Sequence, residues 1–466
     1  MIKLKNVLYS VSLIVVVLIS IFYGQTFVSN VGNFEVLSPF GNKMSFASFI
    51  YIPIVYFSLV IIISLIANKN FPIFNKRSFM LYVFLFVIFG TYVGILIFLK
   101  DYSYLLGSKN DVTSLTTNEK IQAFFNFLMA LTNIYIVFFL LKYNKQTKYV
   151  FAILFLAISL FALSSIIYSL INEFDVYKSF NFNFLFNKWD GSSRKQALSF
   201  FKIGNVYGHA LVIGIFSIIC LSLLLDKLYI GLFSLILAFF VPFSMSRAAI
   251  LATLIFYYLY LFIVFYKLFK KNKVMIVVTT IIMLFIPVLL YLDGTSYYFL
   301  KINLNNKTYY PSDFLKYMIT NWEDSRFNFL GPILKNMQVI DYIFGIGYGN
   351  GFIVTRSYNF VFYYHNTVIE YISTGGIFYL IFITVLVGIC FYKAFKVIKI
   401  NFTYFYFLIC LSITMIIYGM YESFPLFQND FPGIAYGAFF SLVPILKYYE
   451  LKNLDNNIVT LNPLKK

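Results

Sequence analysis

The sequence predicts an all-α, polytopic helical membrane protein with about twelve transmembrane helices and a large extracytoplasmic loop between spans 9 and 10. Three observations carry that reading: a composition too apolar for water, apolar runs of span length, and basic residues gathered in alternate loops. Of 466 residues, 61% are hydrophobic and only 12% are charged, about half the charged share of a soluble domain. Aromatics make up 22%, with 59 Phe and 40 Tyr. No water-soluble fold of this size could hide that much apolar surface, which excludes a cytosolic enzyme. The same composition excludes disorder.

Crossing the hydrocarbon layer takes about 20 apolar residues. Such runs fall near 7–28, 46–67, 78–99, 121–141, 149–171, 203–225, 228–244, 247–266, 274–292, 366–391, 401–419 and 431–447. Backbone polar groups cannot be left bare in lipid, so each run is expected to be a helix. Alternating strands of roughly ten residues are absent, which excludes an outer-membrane barrel. The first run follows Met-Ile-Lys-Leu-Lys-Asn and resembles a secretory signal. Phe22, Tyr23 and Gln25 stand where a small-residue cleavage site would be, so it is read as an uncleaved span. Only Met245 and Ser246 separate the seventh run from the eighth.

The formal charge is +18, from 36 Lys and Arg against 18 Asp and Glu. On a soluble chain this would point to nucleic acid. Here the cations sit in short loops between apolar runs, so nucleic-acid binding is set aside in favour of membrane orientation. The loops on the side of the termini hold 20 basic residues against Asp226, Glu450 and Asp455; the other side holds the remaining 16 basic and 15 acidic residues. That asymmetry predicts both termini in the cytoplasm. Cys220, Cys390 and Cys410 lie inside apolar runs with no CxxC or Cys/His spacing, so they are read as packing residues and no metal is expected.

Residues 1–466 are thus expected to form a single integral membrane domain, and its long connections fall on the outer side, near 172–202 and 293–365. The second is rich in Tyr, Phe and Asn and is expected to fold rather than wander. Within it Phe314, Leu315, Met318, Ile319 and Trp322 recur at helical spacing, as a helix on the outer membrane surface or as a packed loop helix.

The middles of the runs carry essentially no ionisable residue, which argues against an ion-coupled carrier or a flippase. Polar candidates cluster where runs meet the outer side. Ser244-Met245-Ser246-Arg247 opens the eighth run: serine caps a helix start, and an arginine beside the free N–H groups of a first turn makes an anion site. The alternative is an arginine that snorkels to the interface. Tyr364-His365-Asn366-Thr367 opens the tenth run, and His365 could take a proton from a hydroxyl or serve as an ordinary interfacial hydrogen-bonding group. His209, in the second turn of the sixth run, is assigned a structural role. In the large loop, Trp322-Glu323-Asp324-Ser325-Arg326 precedes Phe344-Gly345-Ile346-Gly347-Tyr348-Gly349-Asn350-Gly351, whose glycines allow close backbone approach. No lysine follows in P-loop spacing, so nucleotide binding is unsupported. Arg194 and Glu422 complete the outer polar set.

Taken together these pieces resemble the O-antigen ligase and polymerase superfamily of membrane glycosyltransferases. The strongest stretch runs from His365-Asn366-Thr367-Val368-Ile369-Glu370-Tyr371 to Gly375-Gly376-Ile377, after the large outer loop. Ser325-Arg326, Gly345-Ile346-Gly347 and Ser246-Arg247-Ala248-Ala249 resemble that family's other elements, in order, over residues 240–390. Tyr379 stands where the family often has a second glycine, and nine residues separate Arg194 from Gly204, one short of the polymerase Arg-x10-Gly pattern. The resemblance implies a repeat-unit polymerase for O-antigen or capsule polysaccharide in the bacterial cytoplasmic membrane. It would join undecaprenyl-diphosphate-linked donor and acceptor glycans on the outer leaflet, without cofactor or metal and with inversion, and would admit a chain-length regulator protein and membrane lipids as partners. On that likeness His365, Arg326 and Arg247 are the expected catalytic residues. Arg194, Asn366, Ser246, Gly345, Gly347 and Glu422 are the expected substrate-binding ones. An O-antigen ligase, passing the glycan to lipid A-core, shares the same chemistry and is the alternative.

Overall fold

The computed structural model describes residues 27–29, 35–37, 43–44, 46–70, 76–106, 116–136, 147–179, 196–199, 204–225, 227–269, 272–292, 302–304, 307–309, 333–357, 366–398 and 402–421, with scattered positions between 11 and 19. The fold is helical. Its helices are α1 (Phe46–Asn70), α2 (Lys76–Leu99), α3 (Thr117–Tyr135), α4 (Thr147–Asn172), the short α5 (Phe174–Lys178) and α6 (Gly204–Leu224). They continue with α7 (Ser234–Phe240), α8 (Arg247–Phe269), α9 (Lys273–Leu292), α10 (Val339–Phe344), α11 (Asn350–Ser357), α12 (Thr367–Ile398) and α13 (Phe402–Tyr421). Strands are confined to connections. Phe27–Ser29, Glu35–Leu37 and Lys43–Met44 pair antiparallel as β1, β2 and β3, and Ile302–Leu304 pairs with Lys307–Tyr309 as the hairpin β4–β5.

The long helices follow the apolar runs because only helix satisfies every backbone group of such a run from within. Their ends are set by caps. Thr116 and Glu119 form a reciprocal capping box at the start of α3, Asn272 Oδ1 accepts the Met275 N–H (3.2 Å), and Ser246 and Asn366 cap α8 and α12. The seventh run is not one α-helix. It is a 3-10 turn over Leu228–Phe233, then α7, then a second 3-10 turn over Val241–Ser244 that contains Pro242 and ends on Met245 in the left-handed region (φ 53°). That reversal separates the seventh run from α8. The runs at 431–447 and most of 7–28 lie outside the described residues, as do the helix read at 314–322 and Glu422.

Among the described residues three helical stretches are long and apolar enough to cross a membrane: Tyr82–Leu99, Phe155–Asn172 and Thr367–Ile389. Their outward faces carry large apolar side chains. Phe84 is 59% exposed, Leu160 54% and Ile381 53%, and Val87, Ile167 and Val385 share those faces. Water does not tolerate such a surface at this scale; hydrocarbon does. Inward, Phe127, Phe155, Tyr207, Phe216 and Phe256 are fully buried in one apolar core.

The core is laced with hydroxyls. Ser159, Ser217, Thr253 and Thr414 each donate to the carbonyl one turn back (2.7–2.8 Å), so a buried polar atom stays satisfied without a partner helix. Between helices, Tyr56 donates to Asn133 Oδ1 (2.8 Å), and Tyr135 reaches Ser64 Oγ (3.3 Å). These bonds tie α1 to α3.

Candidate functional site

Several segments that the sequence assigns to the outer side meet at one end of the helical bundle. At its centre is the turn before α8. Ser244 Oγ donates to the Val241 carbonyl (2.7 Å) and accepts the Ser246 N–H (3.2 Å), while Ser246 Oγ accepts the Ala249 N–H (3.3 Å). Both serines are buried. This places Arg247 on the first helical residue, half-buried, at the positive end of the α8 dipole.

Gly208 on α6 permits this arrangement. A Cβ there would stand 2.5 Å from Ser244 Oγ and 2.9 Å from Ser246 Cβ, so only glycine lets α6 seat on the turn. The next residue, His209, is 4% exposed, and its ring lies 4.7 Å from that of Tyr418 on α13. Gly419 in turn faces α12, where a Cβ would sit 3.0 Å from Thr367 Oγ1. The chain of contacts thus runs from the Arg247 turn through His209 and Tyr418 to the first residue of α12.

That helix start is the second candidate motif. Asn366 Oδ1 accepts the N–H groups of Val368 (3.0 Å) and Ile369 (3.1 Å), a two-fold cap. One turn further, Glu370 is 3% exposed, in company with buried Tyr371, Ser373 and Thr374. In the sequence Glu370 carries no role beyond the likeness at His365. Its burial near the start of an apolar helix is not visible in the one-dimensional pattern.

A clamp the sequence did not announce holds the third segment. The Glu173 carboxylate accepts the backbone N–H groups of Leu198 (3.1 Å) and Ser199 (3.0 Å) and the hydroxyl of Ser169. Tyr177 donates to Ser169 Oγ (2.7 Å) and lies 3.4 Å from the Tyr207 hydroxyl. Burial pushes the Tyr177 phenol up, which keeps it a neutral donor. Ser199, at φ 54°, donates to the Ser165 carbonyl (2.7 Å), and the Ala197 N–H reaches the Phe243 carbonyl (2.9 Å). Residues 196–199 therefore strap the end of α4 to the turn that presents Arg247. Arg194 precedes the strap by two residues and itself lies outside the described residues.

Gly345 and Gly347 are placed elsewhere, against a break in α12. Gly375 (φ −151°, ψ 25°) and Gly376 (φ 65°, ψ −163°) interrupt that helix. Ser373, just before the break, accepts the N–H groups of Ile346 (2.8 Å) and Gly347 (3.1 Å) on its carbonyl. A Cβ on Gly345 would meet the Gly376 and Gly375 nitrogens at 2.7 and 2.8 Å, and one on Gly376 would land on the Ile343 carbonyl. Both glycines of the Gly-x-Gly element thus have a packing reason for being glycine. Nearby, Asp341 is fully buried and accepts from Lys100 Nζ (2.8 Å), Tyr104 Oη (2.6 Å) and the Gln338 N–H (2.8 Å). Burial and then the Asp341 contact push the Tyr104 phenol up.

Of the nine candidate residues, Arg247, Ser246 and Asn366 fall in the connected cluster, and Gly345 and Gly347 in the adjoining junction. His365, Arg326, Arg194 and Glu422 lie outside the described residues. No group of three or more His, Cys, Asp or Glu suited to hold a metal exists among the described residues. Compared with family models, curated proteins and solved structures, the chain matches none.

Proposed function

We propose that this chain is a polymerase of undecaprenyl-diphosphate-linked oligosaccharide repeat units. On this reading it crosses the bacterial cytoplasmic membrane about twelve times, with both termini in the cytoplasm, and works on the outer leaflet. One observation carries the reading: two helix starts, one bearing Arg247 and the other following His365, are drawn to one end of the bundle through His209, Tyr418 and Gly419. An arginine on a first helical residue opposes the positive end of the helix dipole, a penalty of roughly 0.3–1 kcal/mol that a bound anion turns into a gain. A lipid diphosphate is such an anion.

The chemistry is a displacement at the anomeric carbon of the donor. The acceptor hydroxyl attacks, the bond from that carbon to the diphosphate oxygen breaks, and the lipid diphosphate leaves with the electron pair. Arg247 and Arg326 stabilise the charge that develops on it, and His365 takes the acceptor's proton. Ser246 and Asn366 hold the two helix starts rigid. Direct attack inverts the anomeric configuration, and no pair of carboxylates of the hydrolase kind is required.

The test is reconstitution in liposomes with purified lipid-linked repeat units. Polymer is expected without any lipid A-core acceptor. Arg247→Ala and His365→Ala are each expected to cut its formation by about 100-fold or more while leaving insertion and thermal stability near the parent's. Product formed only when a lipid A-core acceptor is supplied would make the chain a ligase. Normal chain lengths from both variants would overturn the assignment of the site.

A further inference from the structure

The stretch that sequence reading places in an outer loop does not stay at the level of the helix ends. It starts beside Lys100, just past the end of α2, where Asp341 is buried against that lysine and Tyr104. By Phe344 its backbone carbonyl is bonded by the Tyr92 hydroxyl, and Tyr92 stands seven residues back from the end of α2. That is about 10 Å along the helix axis. On α12 the same point meets Gly375, nine residues past the Asn366 cap, or about 13 Å down from the start of a stretch long and apolar enough to cross a membrane. The chain then climbs. Gly347 packs on the backbone of Leu96 and Ile97, and Asn350 donates to the Leu96 carbonyl (3.5 Å).

We propose that residues 338–350 form a re-entrant segment that dips into the hydrocarbon layer, and that α10 rests its outer face on lipid chains. The side chains are sorted for that solvent. Val339 is 75% exposed, Ile340 50% and Phe344 41%, while the one charge of the helix, Asp341, is turned inward and paired. The apolar face runs on without interruption: the Phe344 ring lies 5.9 Å from Phe378 of α12, itself exposed, and Ile377 and Ile381 continue the surface.

The backbone obeys the rule that irregular chain at membrane depth is tolerated only inside protein. Gly345, Ile346 and Gly347 are buried, and the Ser373 carbonyl beside the α12 break takes the N–H groups of two of them. The break and the dip are therefore one device. Unbroken α12 would spend the Ser373 carbonyl on its own i+4 N–H, and a Cβ at Gly376 would occupy the place of the Ile343 carbonyl. Lipid hydrocarbon is the occupant because the face is continuous with the lipid-facing side of α12 and the one charge of α10, Asp341, is turned away from it.

The inference is independent of the reaction catalysed and is tested without it. A nitroxide is attached to Ile343→Cys, and separately to Ile340→Cys, in the full-length protein in liposomes. Collisions with oxygen are compared with collisions with a water-soluble nickel chelate. Ile381→Cys is the lipid-facing reference and Ser103→Cys the water-facing one. Oxygen-dominated relaxation matching the Ile381 label is expected at both α10 positions. Chelate-dominated relaxation matching the Ser103 label would overturn the proposal. Should Ile343→Cys fail to insert, the Ile340→Cys label decides alone.

Discussion

The two sides of the bundle end are built on opposite plans. Around Arg247 the contacts are side-chain hydrogen bonds: Ser244 and Ser246 in the turn, Glu173 on Leu198 and Ser199, Tyr177 on Ser169. Around the α12 break the close contacts are mainly backbone on backbone, made through Gly345, Gly347, Gly375 and Gly376, with the Tyr92 hydroxyl added on the Phe344 and Gly375 carbonyls. The first plan adds up small, separable terms of about 1 kcal/mol each. The second depends on the absence of four side chains and has no graded failure. Substitutions should therefore tune the Arg247 side and destroy the glycine side.

Gly376→Ala gives the largest effect. Left-handed backbone at a non-glycine residue costs about 1–3 kcal/mol by itself, and the new methyl competes with the Ile343 carbonyl for the same space. The expected outcome is loss of folded, detergent-extractable protein, read by size-exclusion chromatography and thermal unfolding. A variant with parental stability would show that the junction is not close-packed. Asp341→Ala comes next. Breaking a buried pair costs about 3–5 kcal/mol, and the lower end applies because Lys100 keeps 20% of its surface in contact with solvent. Asp341→Asn keeps one carbonyl oxygen, which can accept from Tyr104 or from the Gln338 N–H but not from both, so it should recover only part of the loss.

Glu173→Ala brings the comparison to the Arg247 side. It removes the acceptor of two backbone N–H groups on a half-exposed carboxylate, so about 1–2 kcal/mol is expected. The sharper readout is local. Amide exchange at Leu198 and Ser199 should accelerate while amides deep in α6 stay protected, and Glu173→Gln should restore part of the protection. Uniform loss of protection would mean that the strap is integral to the core rather than fastened onto it.

How much of this was readable beforehand follows from the range of each signal. The long helices were legible because a span is a local, contiguous property, and so was the serine cap before Arg247, since residue type at a run's edge is local too; Asn366 was read as a substrate-binding residue, and its cap emerges only from the structure. Pairing across 237 residues, as between Tyr104 and Asp341, leaves no local trace. Nor did Glu173, an ordinary acidic residue at the end of a run. The α12 break was hidden for a different reason: apolar residues continue on both sides of Gly375-Gly376, so hydropathy reads one helix where the backbone makes two. The dip of α10 was hidden because six residues interrupted by an aspartate cannot register on a scale tuned to about 20.

The smallest effect is the most discriminating. Ser246→Ala and Asn366→Ala each delete an N-cap, a loss of about 1 kcal/mol on average. The two sites differ in their access to water. Ser246 is 1% exposed, so the Ala249 N–H it abandons stays buried, and the upper end of the range near 2 kcal/mol applies. Asn366 is half-exposed beside Val368, which is 49% exposed, so water can rebond the Val368 and Ile369 N–H groups and the cost falls toward about 0.5 kcal/mol. Thermal unfolding of the two variants in one detergent measures the difference. If Asn366→Ala proves the more damaging, the start of α12 is the closed one. On the polymerase reading proposed above, the donor and acceptor would then have to enter from the Arg247 side.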